Sequence, residues 1–206
     1  PDWTGITAFM RFNIPLVIRF HGSDTYFCHI EKRAQKFKNR LFETLAVRNA
    51  KGFIAPTKYA GEVSAQLFGL QKEQVKTIHY GLDLTLFNNE HPEIFEKGLI
   101  LYIGTIIRKK GVFELPVIFN NVKAQFPEAK LVLIGGDASD VSTGSNSTWE
   151  LVKNTFNKED LTDVTYLGKI PYLEVQAYIQ KANVCVFPTY AETLGMVTIE
   201  SMAMQK

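Results

Sequence analysis

Short apolar runs alternate with longer stretches of helical spacing along almost the whole chain, and this alternation most constrains the fold. Each run is typical of a buried strand in a parallel sheet. The runs are "IPLVIRF", "GFIAPT", "QVKTIHYG", "GLILYIG", "AKLVLIGG", "VTYLG" and "NVCVFPT". Strands that alternate with helices form parallel sheets that are covered on both faces. The sequence therefore predicts an α/β fold.

A polar, irregular stretch divides these elements into two sets. It runs from Leu82 to Lys97 and contains Pro92 and two asparagines, which is typical of a connection between lobes. A chain of 206 residues can bury a core in each of two modest lobes. We therefore predict one Rossmann-like lobe in residues 1–85 and a second in residues 90–206.

Two helices of the first lobe can be predicted from local signals. Thr57 suits the N-cap of a helix over residues 58–68. The stretch from Glu31 to about Asn49 has apolar residues at helical spacing and a basic outer face, so a single helix is expected there.

Two helices of the second lobe have predicted starts as well. Ser147 or Thr148 suits the N-cap of a helix that continues through Phe156. Pro171 fits the first position of a helix that ends near Ala182, because its fixed backbone angle suits that position.

Composition argues against several classes of protein. The net charge is only +2, which does not call for nucleic acid or an anionic membrane as a partner. Cys28 and Cys185 are too few for a disulfide framework and indicate a reducing, cytoplasmic compartment. No apolar stretch reaches the roughly 18 residues that span a bilayer. The first residue is Pro1, and the terminal "TIESMAMQK" has helical spacing without a cap, so we expect a fragment.

Polar loops follow the predicted strands, and ligands bind at such strand ends in open parallel sheets. The loops that carry chemistry are "HGSD", "GTIIRKKG", "GGDASD" and "YAETLG". After the last loop, a helix is predicted to begin near Thr193 or Leu194. Gly195 lets a ligand approach the backbone closely. The N–H groups of Leu194, Gly195 and Met196, together with the helix dipole, predict a phosphate site.

Two glutamates flank this predicted phosphate site. Glu192 precedes the helix and Glu200 lies inside it. A carboxylate accepts hydrogen bonds, so each glutamate could hold a pair of sugar hydroxyls. The arrangement suits a nucleotide sugar, with ribose beside Glu200 and the transferred sugar beside Glu192. Glutamates near a helix N-terminus also complement the dipole without any ligand, and spacing alone leaves that alternative open.

A basic loop joins a predicted strand to the following helix. It runs from Gly104 to Gly111 and carries Arg108, Lys109 and Lys110 in a row. The helix dipole repels cations at a helix N-terminus, so an anion is expected between them. The alternative is a basic loop that is only solvated.

Several of these motifs resemble one enzyme family. "ETLGMVTIE" resembles the signature of two glutamates eight positions apart in the retaining glycosyltransferases of family 4, also called group 1. "YIGTIIRKKGV" resembles the family's basic loop, and "VIRFHGSD" resembles its acceptor-lobe strand. "FIAPTKYAGEVSAQLFG" and "VKTIHYGLDLTLF" resemble its approach to the interdomain linker. The resemblance implies the GT-B architecture, in which two Rossmann-like lobes face a cleft.

The resemblance also implies a role for particular residues. Lys110 would grip the donor diphosphate, Glu192 would position the transferred sugar, and Glu200 would bind ribose. His21 would lie near the donor sugar; the alternative is a histidine that only caps a strand end. The other donor-binding residues by resemblance are Gly104, Thr105, Arg108, Thr193, Leu194, Gly195 and Met196.

The chain departs from the family in one position. Thr105 stands where the family often has an arginine that binds phosphate. One of the two phosphate-binding cations is therefore in question, and Arg108, three residues further on, is the candidate to supply it. Asp137 and Asp140 are the nearest candidates for a metal site, but we interpret them as turn and loop residues. A leaving group assisted by the cations of the basic loop, without a metal or other cofactor, therefore fits the sequence better.

The function implied by the resemblance is sugar transfer from a nucleotide-diphosphate sugar with retention of configuration. The acceptor would be a glycan, a polysaccharide or a lipid-linked molecule. Basic residues in the stretch from Glu31 to Asn49, such as Lys32, Arg33, Lys36, Lys38 and Arg40, could aid peripheral contact with the inner membrane face; the alternative is a helix face that is only solvated. Two alternatives remain: a homologue that binds nucleotide sugars without transfer, and an epimerase of the same GT-B shape.

Overall fold

A computed structural model describes residues 15–206, which form two compact units. The first unit comprises the described residues up to Gly81 together with Ala191–Leu194. The second unit comprises Leu82–Tyr190 and Gly195–Lys206. Ile14, the first residue of the predicted strand "IPLVIRF", lies outside the described residues.

The first unit contains a three-stranded parallel sheet in the order β1-β2-β3. Its strands are β1 (Leu16–Arg19), β2 (Ala50–Ala55) and β3 (Val75–Thr77). Its helices are α1 (Asp24–Ile30), α2 (Phe37–Asn49) and α3 (Lys58–Phe68). Phe20 stacks on Phe53 at the centre of the buried core, with 5.7 Å between the ring centroids.

The predicted start of α3 is confirmed. The side chain of Thr57 accepts a hydrogen bond from the amide of Ala60 at 3.1 Å, which caps the first turn. Gly69 ends the helix in the left-handed conformation, with φ at 67°.

The prediction of one helix over residues 31–49 is wrong in its first third. A turn precedes α2, and a separate helix, α1, lies before that turn. Ser23 caps α1 by accepting from the amide of Tyr26 at 3.0 Å. The carboxylate of Glu43 accepts from the first two amides of α1, those of Asp24 at 2.7 Å and Thr25 at 3.0 Å. The helix start thus depends on a residue far along the chain, which local spacing does not show.

The second unit contains a four-stranded parallel sheet in the order β6-β5-β4-β7. Its strands are β4 (Leu99–Ile103), β5 (Lys130–Ile134), β6 (Val164–Tyr166) and β7 (Val184–Cys185). Its helices are α4 (Leu115–Lys123), α5 (Thr148–Lys153), α6 (Tyr172–Lys181) and α7 (Met196–Ala203). The predicted α/β fold with parallel sheets is confirmed.

The central strand β4 is buried on both of its faces. Ile100 and Tyr102 pack into one hydrophobic cluster with α4 and α5. Leu101 and Ile103 pack into a second cluster with α6 and the C-terminal region of α7. Because successive side chains of a strand alternate between faces, helices must cover both sides of this sheet.

Candidate functional site

The basic loop forms a tight turn at the C-terminal end of β4. Arg108–Lys110 is a short 3₁₀ helix, and Gly111 follows it with φ at 69°. At the start of the loop, the amide of Gly104 donates to the carbonyl of Ile134 at 2.9 Å. The loop is therefore held beside the end of β5.

This turn also packs against the connection between β7 and α7. The carbonyl oxygen of Lys109 accepts from the amide of Tyr190 at 3.0 Å and from the hydroxyl of Thr189 at 3.3 Å. A side chain at Gly111 would place its Cβ 1.8 Å from the carbonyl oxygen of Pro188. The structure thus brings the turn that carries Lys110 next to the segment that precedes the last helix.

Arg108 makes specific contacts within the second unit. Its guanidinium donates two hydrogen bonds to the carboxylate of Asp140, at 2.9 and 2.8 Å, and lies 4.1 Å from the ring centroid of Phe113. The hydrogen bonds from Arg108 hold the pKa of Asp140 well below its usual range, with help from the hydroxyls of Ser142 and Thr143. A phosphate bound by Arg108 would have to share it with this carboxylate.

Thr105 lies exposed directly after β4. Its carbonyl oxygen accepts from the hydroxyl of Tyr102 at 3.2 Å, and the next residue, Ile106, is fully buried. The position where the family often has an arginine therefore carries a small hydroxyl side chain on a firmly held backbone.

The last helix begins later than predicted. Gly195 precedes it in the left-handed conformation, with φ at 77°, and α7 starts at Met196. The carbonyl of Gly195 accepts from the amide of Thr198 at 3.0 Å. The leading amides are therefore those of Met196 and Val197, and Leu194 belongs to the preceding loop, which corrects the predicted start at Thr193 or Leu194.

Glu200 is buried inside α7, with only 4% of its surface exposed. The hydroxyl of Tyr172, the first residue of α6, donates to its Oε1 atom at 2.7 Å. Burial is the main cause that raises the pKa of Tyr172 to about 12, and the hydrogen bond to Glu200 adds to it. Sequence reasoning missed Tyr172, because no local signal connects it to a residue 28 positions away.

Glu192, Thr193 and Leu194 lie with the first unit. The hydroxyl of Tyr26 donates to the carbonyl of Glu192 at 3.1 Å, and the hydroxyl of Thr57 donates to the carbonyl of Thr193 at 2.9 Å. The Oε1 atom of Glu192 accepts from the amide of Thr193 at 3.1 Å. Burial, with lesser effects of Tyr59 and Glu192, raises the pKa of Tyr26 to about 12.

His21 follows β1 in the same unit, and its Nδ1 atom is 3.2 Å from the carbonyl oxygen of Arg19. A bond of Nδ1–H to that carbonyl would leave Nε2 as the acceptor nitrogen of the ring. The first unit thus positions the imidazole of His21. It also holds the segment that carries Glu192, through two hydroxyl groups that donate to the backbone carbonyls of that segment.

The two aspartates considered for a metal site both have structural contacts. Asp140 is held by Arg108, and a carboxylate oxygen of Asp137 accepts from the amide of Trp149 at 2.9 Å, in the first turn of α5. Within residues 15–206, no group of three or more potential metal ligands is found. In the same range, no helix has the length and apolar character needed to cross a membrane.

Comparison with known proteins identifies two family matches that together cover the chain. Residues 86–206 match the family described as Glycosyl transferases group 1, and residues 1–86 match Glycosyltransferase Family 4. An uncharacterized glycosyltransferase, MJ1178, from Methanocaldococcus jannaschii is 26% identical over 95% of this chain and 48% of its own length. The capsular polysaccharide biosynthesis glycosyltransferase CapM from Staphylococcus aureus is 28% identical over 58% of this chain and 30% of its own length.

Solved structures show the same fold. Sucrose-phosphate synthase from Thermosynechococcus elongatus has a TM-score of 0.76 and 25% identity, over 98% of this chain and 51% of that protein. Anabaena HepE in complex with UDP-glucose has a TM-score of 0.74 and 20% identity, over 98% of this chain and 54% of that protein. The chain spans about half the length of these relatives and has the GT-B fold in the part compared. The resemblance to the group 1 glycosyltransferases is confirmed, and the chain belongs to this family.

Proposed function

We propose that the protein transfers a sugar from a nucleotide-diphosphate sugar to an acceptor, with retention of configuration and without a metal. The observation that carries this proposal is the packing of the Lys110 turn against the segment that leads to α7. That packing supports a single anion site that would combine the Lys110 ammonium with the amides at the start of α7. Both groups favour a diphosphate.

The same groups would stabilise the departing diphosphate during transfer. Negative charge grows on the leaving oxygen as the bond to the sugar breaks. A lysine and a helix N-terminus that face this charge before the reaction would stabilise it without further reorganisation. Glu200 would accept hydrogen bonds from the donor ribose, since its carboxylate lies in the same helix that would bind the diphosphate.

In the first unit, Glu192 would orient the transferred sugar, and His21 would contact it near the reacting carbon. The backbone at Glu192 is held by the hydroxyls of Tyr26 and Thr57. Such fixed placement of a carboxylate favours catalysis by orientation of the substrate.

We propose a uridine diphosphate sugar as the donor to be tested first, because HepE, which has the same fold, was solved with UDP and glucose and with UDP-glucose. The acceptor would be a glycan, a polysaccharide or a lipid-linked molecule, in line with the polysaccharide role that CapM is named for. Peripheral contact with a membrane is part of this proposal. It would rely on Lys32, Lys36, Lys38 and Arg40 more than on Arg33, which forms ion pairs with Asp24 and Glu31.

The proposal is tested by transfer from labelled UDP-glucose, UDP-N-acetylglucosamine and UDP-galactose, with and without a chelator. We expect the intact protein to release UDP with at least one donor, and we expect Lys110→Ala and Glu192→Gln to lower kcat/KM about 100-fold or more. Lys97→Ala is the matched control, because Lys97 forms a long, exposed ion pair and should leave the rate unchanged. Equal activity in Lys110→Ala and the control would reject the assigned diphosphate site.

A second candidate is a homologue that binds nucleotide sugars without transferring the sugar. The observation in its favour is the absence of an arginine at Thr105 together with the engagement of Arg108 by Asp140. Donor binding without turnover would support this candidate. If Arg108→Ala leaves the donor Kd unchanged while Lys110→Ala raises it, Arg108 does not replace the missing cation.

A further inference from the structure

Glu200 has more hydrogen-bonding capacity than the described residues satisfy. An ionised carboxylate accepts about four hydrogen bonds through its two oxygens. The hydrogen bond to this carboxylate runs from the hydroxyl of Tyr172 to Oε1 at 2.7 Å. Glu200 is only 4% exposed, and Oε2 is not among the buried side-chain atoms that lack a partner, so this oxygen has capacity left for a ligand donor.

Tyr172 is placed to control how that carboxylate is oriented. Its ring packs edge to face against the buried Phe87, with 5.7 Å between centroids, and its hydroxyl ends on Glu200. At the same time, 53% of its surface is exposed. One edge of the ring is therefore anchored in the core while the rest faces solvent beside Glu200.

We propose that Tyr172 is a positioning residue that fixes the Glu200 carboxylate so that Oε2 accepts from a ribose hydroxyl of the donor nucleotide. This inference rests on the proposed function, because it assigns the ribose to Glu200. Without the Tyr172 hydroxyl, the carboxylate would rotate among several orientations, and part of the ribose hydrogen bond would be lost. Tyr172 would then act through Glu200 on one hydroxyl group of the ligand and on nothing else.

The test is a binding cycle that couples the protein hydroxyl to the ligand hydroxyl. The Kd values of UDP, 2′-deoxy-UDP and 3′-deoxy-UDP are measured by calorimetry with the wild type, Tyr172→Phe and Glu200→Gln. The wild type should bind UDP more tightly than at least one deoxy form. Tyr172→Phe should weaken UDP binding roughly fivefold to tenfold, as expected when the ribose hydrogen bond is only partly lost, while binding of that deoxy form is unchanged.

A matched control is available on the same helix. Tyr178 lies in α6 and packs against the apolar cluster on its inner side, and Tyr178→Phe removes the same atom. This variant should keep the wild-type preference for UDP over the deoxy form. Tyr172→Phe leaves the ring in place, so both variants should fold. Each variant is compared on UDP and on the deoxy form, so a lower melting temperature of Tyr172→Phe does not affect this comparison.

The outcomes separate the inference from the proposed function. Equal weakening of UDP and both deoxy forms by Tyr172→Phe, or no weakening at all, would overturn the inference. If Glu200→Gln still abolishes the preference for UDP in that case, the proposed ribose site stands without a role for Tyr172. Failure of the wild type to bind any of UDP, GDP and ADP would reject the proposed function and the inference together.

Discussion

At the scale of single residues, the pairing of Arg108 with Asp140 changes the interpretation of the basic loop. The sequence shows three adjacent cations and predicts that Arg108 could replace the arginine missing at Thr105. In the structure, Arg108 reaches the loop after β5 and binds a carboxylate that is only 3% exposed. The partner lies 32 positions away, so the sequence pattern could identify the charges but not their pairing.

Asp140→Asn should destabilise the protein at neutral pH and make its stability less sensitive to acid. The pKa of Asp140 is lowered in the folded state, so its contribution is complete above the unfolded value of about 4 and is lost as the pH falls further. We expect a loss of about 1–3 kcal/mol at pH 7, as for a hydrogen bond to a charged group. The measurement is urea unfolding between pH 7 and pH 3.

Asp163→Asn serves as the control for this prediction. Asp163 also pairs with a cation, Lys123, at 2.8 Å, but its side chain is 34% exposed. A more exposed pair should contribute about 0–1 kcal/mol. A wild-type pH profile in Asp140→Asn would contradict the role assigned to this carboxylate.

At the scale of elements, the turn after β4 and the connection after β7 are held together by backbone contacts. The carbonyl of Lys109 accepts two hydrogen bonds from the β7 side, and the backbone at Gly111 lies against Pro188. Lys110 is therefore located by packing between two loops. The positions of the proposed phosphate groups depend on glycine having no side chain at this contact.

Gly111→Ala should cause a large loss of stability. The new Cβ would lie 1.8 Å from a backbone oxygen, at a positive φ of 69°, so both steric overlap and backbone strain oppose it. We expect a loss of more than about 4 kcal/mol, or failure to fold. The measurement is the midpoint of chemical unfolding.

Gly144→Ala is the control for the steric part of this effect. Gly144 has a similar φ of 74°, but a Cβ there would meet nothing within 4 Å. Only the backbone strain remains, and we expect a loss of about 1–2 kcal/mol. Similar losses in the two variants would show that the contact with Pro188 is looser than the structure indicates.

Helix starts show which elements the sequence could predict. Thr57 and Ser147 cap helices through their own side chains, at 3.1 and 3.0 Å, and both starts were predicted from sequence. The start of α1 depends in addition on Glu43 from another helix, and the start of α7 depends on a left-handed Gly195. Tertiary contacts and backbone conformation decide these two starts, so local propensity did not predict them.

At the scale of the whole molecule, each unit has its own parallel sheet, and buried apolar residues pack into one cluster in the first unit and on both faces of the sheet in the second. The alternation of strands and helices predicted this fold class correctly. It did not predict the strand order: β7, the last strand of this sheet along the chain, pairs with β4, the first. Among the proposed site residues, motif spacing found the charged groups, while Tyr172 and the pairing of Arg108 with Asp140 emerged only from contacts distant in sequence.

Leu101→Ala should destabilise the second unit strongly. Leu101 is fully buried in the central strand and belongs to the cluster that includes Ile103 and Ile179. We expect a loss of about 2–5 kcal/mol, because the substitution leaves a cavity in a packed core. Hydrogen exchange of the β4 and β5 amides should accelerate by the factor that this loss of unfolding free energy implies. Leu84→Ala, the same change at a residue that is 65% exposed, should have an effect within about 0.5 kcal/mol.

A single oxygen atom, the hydroxyl of Thr57, serves two neighbours at once. Its lone pair receives the amide proton of Ala60, while its own proton goes to the carbonyl of Thr193, next to Glu192. Aspartate is an equally good start for a helix but has no proton to give when ionised. Serine keeps both functions on a single oxygen atom, so we expect Thr57→Ser to preserve the helix boundary and the tether of the glutamate segment together.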